Sequence, residues 1–279
     1  MHKNWLIGIF VLTIVTSGFA QNPKWTAWET EADTLMSHEE FSKAIARYSK
    51  IIKASRLKQK ENYRPLYKRA VAYYSSGQWQ PAIADMNKFI PEFPQSYQAR
   101  ILRALAYREL NDIDKQLTDV DSAIELSGGD PQLLRWRGSL RMEKEEYELA
   151  KKDFKQIIQI QDDPEVEMNL ALTHYSLQEL DSALLAVNKA IELDGTYGAA
   201  YFYGGAFALE QEQYEQAVKF LDVALRLDPE NLQALFYKGI ALVELKREDE
   251  GCRCLNKAFY GGVDDAADYL KQSCYEVLK

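Results

Sequence analysis

The side chains that could perform acid–base or metal chemistry are few and scattered in this sequence. Its three histidines are His2, His38 and His174, and no cysteine is close to any of them. The adjacent acids Asp162–Asp163 and Asp264–Asp265 lie where helices are expected to begin, so we interpret them as helix-start residues rather than acid–base pairs. His174 falls on a predicted helix face as a packing residue. Because no nucleotide-binding, zinc-protease or nucleophile-elbow motif occurs either, the sequence predicts a protein that is not an enzyme, with no catalytic residue, metal or cofactor.

The three cysteines lie near the end of the chain, at Cys252, Cys254 and Cys274. Cys252 and Cys254 are two residues apart on a predicted helix and point in different directions, so they cannot both face Cys274. Two alternatives stay open. Either Cys252 or Cys254 forms a disulfide with Cys274, or all three are small buried residues at a helix interface. Zinc binding is not indicated, because this spacing does not suit a zinc site and no histidine lies nearby.

A small residue recurs along the chain at an almost constant interval. Successive copies are 33 or 34 residues apart, except for a first interval of 38. A second small residue usually follows twelve positions later, and a larger apolar residue four positions after that. Because steps of three, four and seven residues fall on one helix face, each period predicts two antiparallel helices that approach closely at the small residues. The recurring small residues are Ala32, Ala70, Ala104, Gly138, Ala171, Gly205 and Gly239.

This pattern resembles the tetratricopeptide repeat. The best copies are Gly205–Pro229, which contains "LRLDPEN", and Ala171–Gly195, which contains "IELDG". Gln116 stands where the family has alanine, which makes the third repeat atypical. The resemblance implies an all-α, right-handed superhelical solenoid of antiparallel helix pairs. The predicted organisation is a signal peptide over 1–20, about seven repeats over 21–262 that start near residues 25, 63, 97, 131, 164, 198 and 232, and a C-terminal capping helix over 263–279.

In this family the first helices of the pairs line a concave groove that commonly holds a peptide. The groove positions lie three and two residues before the small residue, and one and four after it. In this chain they are largely apolar and aromatic, and tyrosine and tryptophan are frequent anchors of protein interfaces. The same positions also pack between neighbouring repeats, so a purely structural role stays open for several of them. The candidate partner-binding residues are Lys68, Arg135, Trp136, Tyr175, Phe202, Tyr203, Phe236 and Tyr237.

Two of those candidates, Lys68 and Arg135, are cations. Some members of the family capture a C-terminal carboxylate with lysine and asparagine residues spread over three repeats. The matching asparagines are missing here, so this chaperone-type activity is not expected.

The first twenty residues have the layout of a secretory signal peptide. Lys3 is followed by the apolar run Trp5–Val15, and small residues precede an expected cleavage after Ala20. A retained anchor is the alternative, although the run is shorter than the about 20 apolar residues of a membrane span. We therefore expect an exported protein, periplasmic or secreted. The segment Gln21–Trp28 either fills the groove or begins the first helix.

The net charge of −8 argues against general nucleic-acid binding and against docking on anionic lipid, both of which need a basic surface. The partner expected is a protein or peptide, with membrane association only through that partner. The leading hypothesis is a non-enzymatic scaffold or adaptor of the periplasm or cell envelope. The alternatives are a module that binds a glycan or cell-wall polymer, and an accessory or regulatory subunit of an envelope enzyme or secretion complex.

Overall fold

The computed structural model describes residues 23–57 and 63–274, and the regular structure in these ranges is fifteen α-helices without a strand. The all-α class predicted from the sequence is therefore confirmed. The expected signal peptide at 1–20 lies outside the described residues. Among the described helices, none is both long and apolar enough to cross a membrane. The helices are α1 (Pro23–Ser37), α2 (Phe41–Ser55), α3 (Arg64–Ser75), α4 (Trp79–Phe89), α5 (Tyr97–Glu109), α6 (Ile113–Ser127), α7 (Pro131–Glu143), α8 (Tyr147–Ile158), α9 (Pro164–Ser176), α10 (Leu180–Leu193), α11 (Gly198–Glu210), α12 (Tyr214–Leu227), α13 (Leu232–Glu244), α14 (Glu248–Tyr260) and α15 (Ala266–Ser273).

The chain forms two compact units that divide after Asn111. In the first unit α1 packs on α2 and α3 packs on α4, and α5 follows against α4. In the second unit the pairs are α7 with α8, α9 with α10, α11 with α12 and α13 with α14. Helix α6 packs on α7 at one end of this unit, and α15 packs on α14 at the other. The division falls in the turn between α5 and α6, the two helices of the atypical third repeat.

The two helices of a pair meet where a small residue faces a large buried side chain sixteen positions later. A methyl group added at Gly205 would lie 2.5 Å from Cγ of Leu221, and one added at Gly138 would lie 2.6 Å from Cε1 of Phe154. Leu221 and Phe154 are completely buried. The glycines therefore allow the helix axes to come close enough for the larger side chain to fill the space between them.

The turn inside each pair holds one residue in the left-handed conformation. In the second unit the φ angles of Glu145, Gln178, Glu212 and Lys246 lie between 59° and 62°. The residue after the left-handed one donates its N–H to the carbonyl five positions earlier, as Gln213 does over 2.8 Å. This hydrogen bond belongs to the Schellman motif, which satisfies a carbonyl at the helix C-terminus.

Acidic side chains cap two of the first helices, α7 and α9. Asp163 accepts hydrogen bonds from the N–H groups of Glu165 (3.0 Å) and Val166 (3.2 Å), the helix-start role expected of it. Asp265 precedes α15, but its side chain makes no capping hydrogen bond.

The N-terminal segment joins the first helix. Trp25 and Trp28 lie in α1 and pack against the cluster that contains Ala32 and Tyr48. Of the two alternatives for Gln21–Trp28, the described part therefore begins the first helix, while residues 21 and 22 lie outside the described ranges.

Helix α15 packs over the last pair and is fixed there covalently. Cys252 in α14 and Cys274, directly after α15, form a disulfide, and both residues are buried. Cys254 is a half-buried free thiol whose pKa is raised by burial. Of the alternatives left open by the sequence, the structure therefore has the disulfide, and Cys252 is the partner of Cys274. Ala266 is buried in the same cluster, whereas residues 275–279 of the predicted capping helix lie outside the described residues.

We expect Gly205→Ala to lower the free energy of unfolding by about 1–3 kcal/mol, because the new methyl group meets the buried Leu221. The matched control is Gly198→Ala in the same helix, where the nearest atom is Leu227 Cβ at 3.8 Å. The control should be neutral or more stable by up to about 1 kcal/mol, since alanine is the better helix former. Urea denaturation followed by circular dichroism measures both. Equal urea midpoints for the two variants would contradict the idea that the close approach of the helices excludes a side chain at Gly205.

Reduction of the disulfide should loosen α15 before the rest of the second unit. The loop that it closes spans 22 residues, and chain-entropy arguments give about 3 kcal/mol for a loop of this size. Hydrogen exchange of residues 266–274, with and without a reductant, measures this local stability. Cys254→Ser is the control and should leave the exchange of the oxidised protein unchanged. Identical exchange in the oxidised and reduced protein would contradict a stabilising role for the bond.

Candidate functional site

Seven aromatic rings in the second unit form a continuous series that connects α9, α11, α13 and α15. We call this series the aromatic ladder. Within it, α11 contacts α13 and α13 contacts α15, so that rings from successive repeats meet. Its members, in order of contact, are Tyr175, Phe207, Tyr203, Phe202, Tyr237, Phe236 and Tyr269.

The ladder combines stacked and edge contacts. Tyr175 stacks on Phe207 with ring centroids 4.6 Å apart, which links α9 to α11. The rings of Phe202 and Tyr237 stack at 5.8 Å, which links α11 to α13. Such pairs stabilise a fold by about 0.5–1.5 kcal/mol beyond the burial of their area. The ladder therefore stabilises the packing of α9, α11, α13 and α15 on one another.

Exposure divides the ladder into packing and surface residues. Phe207 and Phe236 are 2% and 5% exposed and serve mainly as packing. Tyr175, Phe202, Tyr203 and Tyr237 are half-buried, and Tyr269 is exposed. Of the predicted candidates, Tyr175, Phe202, Tyr203, Phe236 and Tyr237 are thus brought together. The half-buried members are partly accessible to solvent.

The two predicted cations are occupied by acidic side chains. The ammonium of Lys68 lies 2.7 Å from Glu29 and 2.6 Å from Asp33. The guanidinium of Arg135 pairs with Asp163 and, at 2.6 Å, with Glu165. These contacts join the first helices of successive repeats, α1 with α3 and α7 with α9, so both cations help to hold neighbouring repeats together. Trp136 is half-buried in α7 and is not one of the seven ladder rings.

A cleft of about 430 Å³ opens beside the ladder rings of α13 and α15. Leu209 and Ile240 contribute to its apolar lining, and no lysine, arginine or histidine lines it. We call it the acidic cleft, because four aromatic rings and three carboxylates form the rest of its wall. These residues are Tyr214, Phe236, Tyr237, Tyr269, Glu210, Glu212 and Glu244.

The carboxylates make the cleft electrostatically negative. Burial, followed by the charges of Glu212 and Glu244, raises the pKa of Tyr214. A hydrogen bond to Glu210, followed by burial, raises the pKa of the Tyr175 hydroxyl. In both cases the neighbouring negative charge disfavours the phenolate, so a positively charged group would be favoured at the same place.

A polar cluster around His174 in this unit is part of the fold. His174, 7% exposed, has Nδ1 2.5 Å from Glu179, which also pairs with Lys151 at 3.0 Å. Hydrogen bonds from Lys151 and His174 lower the pKa of the Glu179 carboxyl. The cluster joins α8 to the turn after α9, which extends the packing role predicted for His174. In the described ranges no group of three or more potential ligands is placed to hold a metal ion.

Several site residues are not among the predicted candidates. Phe207 lies two positions after its small residue, outside the four groove positions, and Tyr269 lies in α15, beyond the repeats. Glu210 and Glu244 occupy the same place in successive repeats, five positions after Gly205 and Gly239, so the period itself could have revealed them.

Comparison with protein families identifies the repeat. The family model described as "Tetratricopeptide repeat" matches residues 29–97, 67–131 and 199–251, which together are more than half of the chain. Among curated proteins, the "Mitochondrial import receptor subunit TOM70" of Homo sapiens is 22% identical over 258 residues. That match covers 87% of this chain and 41% of the relative, so the chain spans about two fifths of the length of the receptor subunit.

Solved structures show the same fold. The C-terminal part of a TPR repeat-containing protein from Cytophaga hutchinsonii is 16% identical and matches with a TM-score of 0.70 over 86% of this chain and 98% of the other. YrrB, described as a TPR protein with an unusual peptide-binding site, is 21% identical and matches with a TM-score of 0.58 over 67% of this chain and 97% of the other. At these identities the likeness shows the fold alone, while the fifteen described helices are consistent with the predicted count of about seven repeats.

The pairing of Lys68 leads to a testable consequence for the first unit. We expect Lys68→Met to lower the free energy of unfolding by about 1–3 kcal/mol, because Glu29, only 9% exposed, loses its closest cation. Lys88→Met, on an exposed position of α4, is the control and should change stability by less than about 0.5 kcal/mol. Urea midpoints give both values. If both variants unfold at the wild-type midpoint, the pairing of Lys68 with Glu29 does not stabilise the first unit, and Lys68 stays a candidate for contact with a partner.

Proposed function

This chain belongs to the tetratricopeptide repeat family, and we propose that it is an exported, non-enzymatic scaffold or adaptor of the periplasm or cell envelope. It binds a segment of a partner protein on the half-buried rings of the aromatic ladder. The ladder is the observation that carries this proposal.

The ladder supports the proposal because its rings are both rigid and accessible. Tyrosine offers a large contact area at little cost in conformational entropy, and its hydroxyl supplies a hydrogen bond at the edge of an apolar contact. Tyr203 and Tyr237 are held by neighbouring rings at 5.1 Å and 5.8 Å, so little further ordering is needed when a partner binds.

Export is supported by the signal-like residues 1–20 and agrees with the Cys252–Cys274 disulfide. Disulfides persist in oxidising compartments outside the cytoplasm and are rare where thiols are kept reduced. YrrB is described as having an unusual peptide-binding site, and TOM70 as a mitochondrial import receptor subunit. The description of YrrB favours recognition of a polypeptide.

A peptide fits the ladder better than a glycan does. Sugar rings stack on free aromatic faces, whereas the faces of Tyr175 and Phe207 are stacked on each other, as are those of Phe202 and Tyr237. The accessory-subunit alternative uses the same surface, with an enzyme or secretion component as the partner.

Cross-linking in the native envelope fraction, followed by mass spectrometry, tests the function. We expect the variant Phe202→Ala/Tyr203→Ala/Tyr237→Ala to capture at least about tenfold less of one partner than the wild type, since anchor residues dominate interface energies. The control variant is Ile160→Ala/Leu185→Ala/Tyr260→Ala, which removes three exposed apolar side chains outside the ladder and should capture normally.

Circular dichroism must show that both triple variants are folded. Capture that is lost equally in both, or in neither, contradicts binding on the ladder. Binding of purified cell-wall polymer with a change in tryptophan fluorescence, in the absence of another protein, would replace the peptide with a glycan.

A further inference from the structure

The walls of the acidic cleft are suited to a cation. Tyr237 and Phe236 form one side and Tyr269 contributes from α15, with Phe236 and Tyr269 in edge contact at 5.6 Å. The face of an aromatic ring carries partial negative charge, which attracts an ammonium or guanidinium group. Tyr214, the first residue of α12, adds a fourth ring.

The carboxylates of this cleft have no basic partner in the described protein, whereas several other acidic side chains do. Glu29, Asp163 and Glu179 are each paired with a lysine or arginine. Glu212 and Glu244 are exposed, and neither has a lysine, arginine or histidine within 4.0 Å in the described part of the chain. Glu210 accepts a hydrogen bond from Tyr175, a neutral partner. The negative charge of the cleft is therefore left uncompensated by the fold.

We propose that the acidic cleft binds an arginine or lysine side chain of the partner segment, so that the partner is recognised as a basic polypeptide. The proposal rests on the proposed function, because Phe236, Tyr237 and Tyr269 belong to both the cleft and the ladder. An arginine fits best, since its planar guanidinium stacks on a ring and pairs with carboxylates at the same time. The long apolar stem of either side chain would contact Leu209 and Ile240.

Other occupants match the cleft less well. A purely apolar side chain would bring Glu212 and Glu244 into contact with hydrocarbon and gain no charge pairing in return. An acidic segment would be repelled by all three glutamates. A second copy of this chain could insert one of its own exposed lysines, and the experiment below separates that case.

The test is fluorescence anisotropy with two labelled peptides and the full chain. One peptide alternates leucine and arginine, and the other has citrulline in place of every arginine, which removes the charge and preserves the shape. We expect the citrulline peptide to bind at least about tenfold more weakly, which corresponds to about 1.4 kcal/mol. Binding of the arginine peptide should also weaken as salt is raised, because the pairing is at an exposed rim.

Matched variants assign that preference to the cleft. Glu212→Gln/Glu244→Gln should bind the arginine peptide about tenfold more weakly than the wild type. Glu215→Gln/Glu248→Gln changes the net charge by the same amount at exposed positions outside the cleft and should bind normally. Equal affinity for both peptides, equal loss in both double variants, or no binding of the arginine peptide would overturn the proposal.

Two further readouts separate this proposal from its competitors. A wild-type dimer in sedimentation equilibrium that becomes monomeric in Glu212→Gln/Glu244→Gln places a second copy in the cleft and overturns the proposal. In envelope cross-linking, a partner captured by this double variant but lost by the ladder triple variant rejects the basic partner and keeps the scaffold function. A partner captured equally by all variants rejects the scaffold function on this face.

Discussion

The close approach of paired helices at one small residue is the contact on which the rest of the fold depends. At Gly205 and Gly239 even a methyl group would lie within 2.7 Å of the facing leucine, Leu221 or Leu255. In the second unit this contact fixes each first helix relative to its second helix at the same place in repeats with Gly138, Gly205 and Gly239. Residues one period apart then occupy equivalent places, and Phe202 meets Tyr237 across successive first helices. The ladder is therefore a consequence of the repeat spacing as much as of the aromatic residues themselves.

The sequence predicted the helix pairs well because their signal is periodic and repeated. A single Ala171 carries little information, whereas seven small residues in register specify the pairs and their number. The turns inside the pairs carry no single residue type at their left-handed position. Their left-handed positions are mostly Glu, Gln or Lys, such as Gln178 and Lys246, which do not mark a turn by type. There the hydrogen bonds of the helix end decide the backbone, at a local cost of about 1–2 kcal/mol.

The candidate site was predictable only in part. Tyr203 and Tyr237 stand out because they lie at repeat positions expected on the groove face. The pairing of Lys68 and Arg135 could not be predicted, because their partners lie on neighbouring helices, as Glu29 and Asp163 do. The same limit applies to the cysteines. Sequence spacing restricts Cys274 to one partner, but the direction in which α15 crosses the last pair selects Cys252.

Uncompensated charge in the acidic cleft carries an electrostatic cost. Like charges around a cavity with aromatic walls repel one another more strongly than they would in open water. Glu212, the left-handed residue of the Schellman turn after α11, is one of the residues that line the cleft. One wall, Tyr269, belongs to the helix that the disulfide ties down, so the shape of the cleft depends on an oxidised bond. A rigid, negative and aromatic cavity built on such a bond suits recognition of a basic segment outside the reducing cytoplasm.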